Sequence, residues 1–551
     1  MRVRPTSRTG ALALGVDYGT ESGRVLLLDL DSGDELACSL VPYAHGVLDT
    51  ELPGTNEPLP HDWALQHPAD YLAVLRRGVP AALRDAGVDA RRIVGIGLDF
   101  TSCTVLPARR DGTPLALLQQ WAGRPHAWTK LWKHHAAQPL ATRLTDVALE
   151  RDESFLARYG GRISSEWYFP KLGQIAQEDP EVYAATDVFV EAGDWVVWQL
   201  CGTLVRSACA AGYKAFWSAE DGLPSAQYFA AALPELGDPA AKLGSQFAPL
   251  GAAAGTLSAS WATELGLGEN VAVAVANVDS FVSVPACGVT DPGVFVTVVG
   301  TSICDMLVDT RAVLLPGITG VVRDGILPHS YGYEAGQPAV GDMFAWFVER
   351  LAAGATADTN PYGALEAAAG ALRPGQSGVV ALDWFNGNRS ILADADLSGV
   401  LVGLTLQTTP QEIYRALLES VAFGARAIVD NFDGHGLTVS RIVACGGVAE
   451  KSALSMTLLA DVTGREVELA GSPQVPARGS ALFAAVAAGV YPSILEAARS
   501  LTPAPAATFK PDPARHDLYG RLYGIYRFLH DTLGRDHPEV LRELKSIRTS
   551  A

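Results

Sequence analysis

The chain has 551 residues, 48% apolar and 19% charged, an ordinary globular balance spread over a length that calls for more than one core. Its 60 acidic against 42 basic side chains leave a formal charge of −18, which opposes a sequence-independent grip on nucleic acid or on an anionic membrane. The same charge still permits a nucleotide held by local amides, a few cations and a divalent metal ion.

The start, Met1 to Gly10, is short and basic, and the apolar stretch behind it is cut at Asp17, too early for a secretory leader. The segment ALALGVDYGTESGRVLLLDLDSG reads as a strand, a Gly/Thr/Ser turn and a second strand, with one acid at the bend. A helix is expected over Pro68 to Ala86. RRIVGIGLDFTSCTVL, from Arg91 to Leu106, is a further strand that ends in an Asp and small hydroxyl residues, and NVAVAVANVDSFVSVPACG repeats that theme at Asp279, after an apolar strand over Val271 to Val278. GVFVTVVGTSICDMLV gives a second hairpin, with Gly300, Thr301 and Ser302 at its turn. A helix over Gln411 to Phe432 precedes VSRIVACGGVAEKSALSMTLLADVTG, a strand, a double-glycine turn and an amphipathic helix. Asp517 to Ala551 reads as a closing charged helix with a frayed tail. Alternating strands and helices with a recurring hairpin indicate two α/β lobes, and Pro285 to Pro292 is the candidate boundary. No run reaches the ~18 apolar residues of a membrane span. The seven cysteines contain no CxxC pair, so reduced thiols in a soluble cytoplasmic protein are expected.

Two standard nucleotide signatures are missing. Gly446 to Ser452 lacks the Gly that a P-loop places before its Lys, and Gly95 to Phe100 ends in Phe where a dinucleotide loop needs Gly. What remains are strand-end turns rich in Gly, Thr and Ser, whose unencumbered N–H groups can approach phosphate oxygens. Asp17-Tyr18-Gly19-Thr20-Glu21-Ser22-Gly23-Arg24 combines an Asp for hydrated Mg²⁺, hydroxyls and amides for phosphates, and an Arg for developing charge. Its residues are also those of an ordinary hairpin. His134-His135 has no third ligand at a believable spacing. Among the 11 tryptophans, Trp195 and Trp198 lie three apart on a helix, a spacing that suits packing.

These segments, together with SSEWYFPKL, EAGDWVVWQLCG, AGYKAFW, PGITGVV, YGYEAGQPAVGDMFAWF and LDWFNGNRS, resemble the FGGY carbohydrate kinases of the actin-like ATPase superfamily over roughly residues 11 to 490. Within that family the blocks are most similar to the ribulose-phosphorylating branch. The resemblance implies two actin-like, ribonuclease H-like lobes around a cleft. Residues 11–288 would form the sugar-binding lobe with the first phosphate turn, 289–492 the ATP-binding lobe, and 493–551 a helical extension.

The resemblance makes Asp279 the catalytic base, and the chemistry agrees, since in-line phosphoryl transfer needs a carboxylate to take the acceptor's proton. Asp279 is also placed where a helix N-cap before Ser280 would stand. The resemblance assigns Thr101, Ser102, Lys214 and Glu334 to the sugar, with Lys214 needing a polar partner in its aromatic setting, be it the sugar or a paired acid. It assigns Thr20, Ser22 and Arg24 to the first phosphate turn, Gly300, Thr301 and Ser302 to the second, Gly341, Gly446, Gly447 and Lys451 to the nucleotide, and Asp17 with Asp279 to Mg²⁺. Relatives often carry Asn near Lys451, which also reads as a solvated helix residue. Asp99 and Asp194 are further pocket acids or strand-end caps. The expected reaction is ATP-dependent phosphorylation of ribulose in arabinose-type pentose catabolism, with xylulose, ribitol or glycerol as alternative acceptors. A non-catalytic sugar sensor is the reading from another class, and a homodimer is left open.

Overall fold

The computed structural model describes residues 10–55, 58–244, 246–352 and 360–550. Residues 1–9 of the basic start and Ala551 of the expected tail lie outside them.

β1 (Leu12–Tyr18) and β2 (Ser22–Asp29) form the first hairpin, with Asp17 opposite Arg24, and β3 (Glu35–Pro42) extends it antiparallel. α1 (Pro68–Ala86) matches its expected span. His67 Nδ1 accepts the Ala69 N–H at 3.1 Å, Pro68 occupies the first turn, and Gly87 ends the helix in a left-handed conformation with φ 61°. β4 (Ile93–Phe100) runs parallel to β1, and both are buried at every residue, which is why they read as unbroken apolar runs. α2 (Tyr168–Glu178) packs into an aromatic core with Trp128, Trp167 and Phe216, and α3 (Ala208–Lys214) leads into that core through Ala215.

β5 (Ala253–Thr256), β6 (Ala272–Ala274) and β7 (Asn277–Val278) complete a sheet of order β5–β6–β4–β1–β2–β3, with β7 also on β4. The strand expected over Val271 to Val278 is therefore split. From Val273 to Asn277 the chain advances 277 − 273 = 4 residues while β4 advances 99 − 96 = 3, from Ile96 to Asp99. The extra residue is a bulge, across which the Val275 N–H turns to the Ala252 carbonyl. α4 (Asp279–Ala286) follows at once.

The second sheet repeats the plan of a hairpin extended by antiparallel strands on one side and parallel strands on the other. β8 (Val294–Val299) and β9 (Ile303–Asp309) are the hairpin, β10 (Gly320–Arg323) and β11 (Tyr331–Gln337) extend it, and α5 (Gly341–Trp346) follows. α6 (Pro410–Gly434) starts at a capping box of Thr409 and Glu412. β12 (Arg441–Cys445) lies parallel to β8, and α7 (Gly447–Lys451) and α8 (Ala453–Thr463) lead to β13 (Val467–Leu469).

α9 (Val475–Ala487) then crosses back onto the first sheet, where it packs on β1 and β4 and against α4. Gly15 and Gly97 make this possible, because a β-carbon at either would overlap a carbonyl oxygen, of Ala477 or Ser480 respectively. β14 (Ala507–Phe509) closes the second sheet, whose order is β10–β11–β9–β8–β12–β13–β14.

The tail is two helices, α10 (Pro513–Asp531) and α11 (Glu539–Ser550), where one was expected. Gly534 and Pro538 interrupt the pattern, and the chain loosens into a π turn over Thr532–Asp536. α10 itself is anchored by buried Tyr519 and Tyr526, the latter donating to Asp383 Oδ1 at 3.0 Å. No helix among the described residues is long and apolar enough to cross a membrane, and all seven cysteines are free thiols.

The contact of α9 with β4 yields a prediction. Gly97→Ala should lower stability by at least ~2 kcal/mol, the scale of overpacking a tight interior, seen as a reduced denaturant midpoint at unchanged slope. An unaltered midpoint would show that the helix can retreat freely.

Candidate active site

Three acids stand at the carboxyl ends of adjacent parallel strands. Asp17 on β1 is in register with Asp99 on β4, Asp99 is in register with Asn277 on β7, and Asp279 follows two residues later at the first turn of α4. Burial raises the pKa of all three. Asp99 is pushed well above the carboxylate range by burial and then by the Asp17 charge. Asp17 rises less because the Arg24 guanidinium, 3.1 Å away, opposes its burial. Asp279 is pushed up to about 7, first by burial and then by Asp17. Ser480, on α9, donates to Asp99 Oδ2 at 2.6 Å, so the helix packed on the glycines also fixes the central acid.

Asp279 does not cap its helix. Val278 holds the N-cap position, and the Asp279 carboxylate accepts only the adjacent Ser280 N–H at 2.7 Å. Among the described residues it has no ion-pair partner within 4.0 Å, so its second oxygen is available for chemistry.

The first expected phosphate turn is narrower than its motif. Gly19 to Glu21 form the bend, while Ser22 and Arg24 lie on β2. The bend is held from behind: Tyr43 donates to the Gly19 carbonyl at 2.9 Å, Gln66 to the Thr20 carbonyl at 2.7 Å, and Trp132 Nε1 to Thr20 Oγ1 at 3.1 Å. On the opposite lobe, Gly300 N–H donates to the Ser302 carbonyl at 2.9 Å, leaving the Thr301 side exposed. Gly341 N–H bonds the Gly300 carbonyl at 3.1 Å, and a β-carbon on Gly341 would sit 2.9 Å from that oxygen. Gly446 has φ 94° and presses on Val299, whose carbonyl oxygen would lie 2.7 Å from an added β-carbon. The second turn, Gly341 and Gly446 therefore form one platform, with Gly447 opening α7 beside it. Lys451 at the end of α7 is exposed.

Of the residues expected at the sugar, Lys214 at the end of α3 and Glu334 on β11 are each other's partners. Nζ donates to both carboxylate oxygens, at 2.8 and 2.6 Å, with both side chains buried. Burial alone would pull the Lys214 pKa down, but Glu334 outweighs it and holds the ammonium charged. α3 packs against β7, and Tyr213 beside Lys214 meets Phe281 of α4 with ring centroids 4.3 Å apart, which places the pair near the acid cluster. Thr101 is buried and shares its hydroxyl with Thr104 at 3.1 Å, leaving half-buried Ser102 as the freer hydroxyl of that turn. Lys171 braces the turn by donating to the Cys103 and Leu131 carbonyls, at 2.5 and 2.8 Å. Asp194 faces away from the cluster: it accepts the Ser207 N–H at 3.0 Å and so supports the start of α3.

The group of possible metal ligands that converge within 4.8 Å among the described residues is His45, His67 and Asp70, which was not anticipated. His67 Nδ1 already caps α1, and the two rings stack at 4.1 Å and 13°, so their in-plane lone pairs run parallel instead of meeting. His134 is structural too, bonded to Gln174 and to the Ala64 N–H. Trp195 and Trp198 are packed as their spacing suggests, with Trp195 Nε1 donating to the Gly112 carbonyl.

Sequence reasoning missed Ser480, Lys171, Glu166 and Arg389. The last two sat inside SSEWYFPKL and LDWFNGNRS, blocks without an assigned role.

Comparison with known proteins agrees with this geometry. Residues 295–488 match the C-terminal domain of the FGGY family of carbohydrate kinases. Over 98% of the chain, the sequence is 51% identical to a ribulokinase from Halalkalibacterium halodurans, covering 98% of that protein. It is 44% identical to a ribulokinase from Mycolicibacterium smegmatis, over 98% of this chain and 96% of that one. Among solved structures, a xylulose kinase from Rhodospirillum rubrum superposes with a TM-score of 0.77 at 24% identity, covering 95% of this chain and 99% of that one. A ligand-bound xylulose kinase from Lactobacillus acidophilus does so at 0.80 and 16%, covering 96% and 100%. These structural likenesses establish the two-lobed α/β fold.

The Lys214 and Glu334 pair gives a test of coupling across the cleft. Lys214→Met should destabilise the protein by ~3 kcal/mol by stranding a buried carboxylate, and Lys214→Met with Glu334→Leu should recover most of that loss. A double-mutant cycle in denaturant reads the coupling, and additive losses would mean the pair contributes nothing jointly.

Proposed function

The chain belongs to the FGGY family of carbohydrate kinases, and on that premise we propose that it transfers the terminal phosphoryl group of ATP to the C5 hydroxyl of ribulose. The near-full-length likeness to ribulokinases supports the acceptor. The observation that carries the chemistry is Asp279: a carboxylate with one free oxygen and a pKa near 7, at the junction of the acid cluster and the Lys214–Glu334 pair.

In this reading Lys214 donates to, and Glu334 accepts from, acceptor hydroxyls, exchanging part of their mutual bond for bonds to the sugar. Thr101 and Ser102 line the same side. Asp279 takes the proton of the attacking hydroxyl at Oδ2 as the bond to phosphorus forms and the bond to the departing ADP oxygen breaks. The bend at Gly19 to Glu21, with Ser22, and the bend at Gly300 to Ser302 supply N–H and hydroxyl donors to phosphate oxygens from opposite lobes. Arg24 adds positive charge once it loosens from Asp17. Gly341, Gly446 and Gly447 offer backbone to the nucleotide, with Lys451 at its edge.

The acid cluster suits a divalent cation, because carboxylates whose pKa values are raised by burial, and at Asp99 and Asp279 also by the Asp17 charge, gain from one. Asp17 and Asp279, with Asp99 between them, would hold hydrated Mg²⁺, which supplies charge neutralisation for the phosphates when bound. Free thiols, an acidic surface and ATP as donor all fit a cytoplasmic setting. Closure of the lobes around the sugar keeps water from competing as acceptor.

Asp279→Asn should bind ATP and ribulose yet lose ~10²- to 10⁴-fold in turnover, the usual range for a missing general base; near-normal turnover removes Asp279 from the mechanism. The same substitution should stabilise the unliganded protein by ~1–2 kcal/mol at pH 8 and not at pH 4. The sign follows from a folded pKa raised from 3.8 to about 7: the cost of ionising Asp279 accrues between those values and is complete above them. ADP formed in the presence of ribulose should be matched by sugar phosphate. A panel of D- and L-ribulose, xylulose, ribitol and glycerol identifies the acceptor, and release of free phosphate in place of sugar phosphate would sink the ribulose assignment.

A further inference from the structure

Two ion pairs of opposite polarity join the halves of the cleft. In one the first half supplies the cation, Lys214, and the second the anion, Glu334, 2.6 Å apart. In the other the first half supplies the anion, Glu166, and the second the cation, Arg389, 3.2 Å apart and each about one-sixth exposed, at 17% and 16%. Trp167 stands between them: it follows Glu166 in sequence, and its ring centroid lies 5.9 Å from Lys214 Nζ. The two pairs also feel each other across the Trp167 ring: Lys214 is influenced by Glu166 as well as Glu334, and Arg389 by Glu334 as well as Glu166. Arg389 is held charged against its burial by Glu166 and Glu334, and Glu166 is lowered, despite its burial, by Arg389 and Lys214.

The second pair also borders open space. Glu166, Trp167, Thr319, Pro338 and Arg389 line a cavity of about 550 Å³ between the halves. Thr319 Oγ1 donates to the Glu334 carbonyl at 3.0 Å and the Trp167 ring lies 5.9 Å from Lys214 Nζ, so two residues of the cavity wall neighbour the Lys214–Glu334 pair, which itself lies outside the lining. Arg389 is rigidly placed relative to that pair, since the neighbouring Ser390 hydroxyl accepts the Gly336 N–H at 3.2 Å, two residues beyond Glu334. Of the five N–H donors of a guanidinium, Nη2 goes to Glu166 Oε1, and Glu166 keeps a second oxygen. A pair serving only to join two surfaces would do as well or better as packed apolar residues. This one stands at the rim of a cavity of mixed lining with donors and an acceptor to spare, which is the equipment for a polyhydroxylated ligand.

We propose that Glu166 and Arg389 form a further acceptor subsite, in which the guanidinium donates to, and the carboxylate accepts from, the carbonyl and hydroxyl groups at the end of the sugar remote from the transferred phosphoryl group. The pair thereby sets acceptor affinity and couples closure of the halves to the presence of the sugar. This rests on the reading above that the acceptor lies against Asp279, Lys214 and Glu334.

The test uses full-length Glu166→Gln and Arg389→Lys in steady-state assays with ribulose and ATP. Each should raise KM for ribulose ~10- to 100-fold, the effect of losing a hydrogen bond to a charged group, with KM for ATP within about twofold. A charge-swapped variant, Glu166→Arg with Arg389→Glu, separates a strut from a subsite: it should recover the thermal midpoint while KM for ribulose stays high. Unchanged KM for ribulose in both single variants, or its recovery by the swap along with stability, overturns the subsite. If the unaltered protein turns over no ribulose, the acceptor assignment falls and the subsite with it; an active protein whose variants keep their ribulose KM removes the subsite alone.

Discussion

Three carboxylates in a row at the ends of β1, β4 and β7 are the constraint on which the rest of this structure depends. Asp17 and Asp99 are buried and Asp279 is half-buried, and the Asp17 charge opposes ionisation of the other two. Such an arrangement costs stability, and a fold holds it only when packing elsewhere over-determines the backbone. Here that packing is α9 on β1 and β4, a contact so close that glycine is required on the strand side and a hydroxyl from the helix reaches Asp99. The acids need glycine-lined strands, and the strands need a helix from the far end of the chain.

That dependence ties the two halves together in a particular way. The chain runs through the first sheet, enters the second through α4, and returns to the first with α9. α4 begins with Asp279, and α9 carries the serine that holds Asp99, so the elements linking the sheets are those that carry or fix the acids. Away from them, the halves meet where Tyr213 packs against Gly320 and Ile326 of the second half, and through ion pairs that include Lys214–Glu334 and Glu166–Arg389. Ion pairs are well suited to a boundary that must open, since their bonds exchange for bonds to water or to a ligand at little net cost.

The two glycine- and hydroxyl-rich bends follow a related plan. Neither is a P-loop. Both are hairpin turns whose own carbonyls are tied up from behind, by Tyr43 and Gln66 in one lobe and by Gly341 in the other. The exposed face of each bend is thus left rich in donors, which suits an anion approaching from the cleft. The strongly acidic surface of the protein plays no part in this, because amides and hydroxyls at short range outweigh a diffuse field.

The sequence by itself determined the elements whose signals are local. The burial of β1 and β4 is written in unbroken apolar runs, α1 in a His–Pro start and a Gly stop, and α6 in its Thr–Glu box. The motifs at Asp17, Asp279 and the Gly/Thr/Ser turns were legible because strand-end chemistry is compact in sequence. Only the tertiary structure decided what lies far apart along the chain. The bulge that splits the strand before Asp279 exists because β4 offers three residues against four. Lys214 and Glu334 pair across 120 residues, and Glu166 and Arg389 across 223. Ser480 reaches Asp99 across 381 residues. A charged residue's partner is set by where two remote segments meet, and no periodicity or turn signal in either segment encodes that meeting.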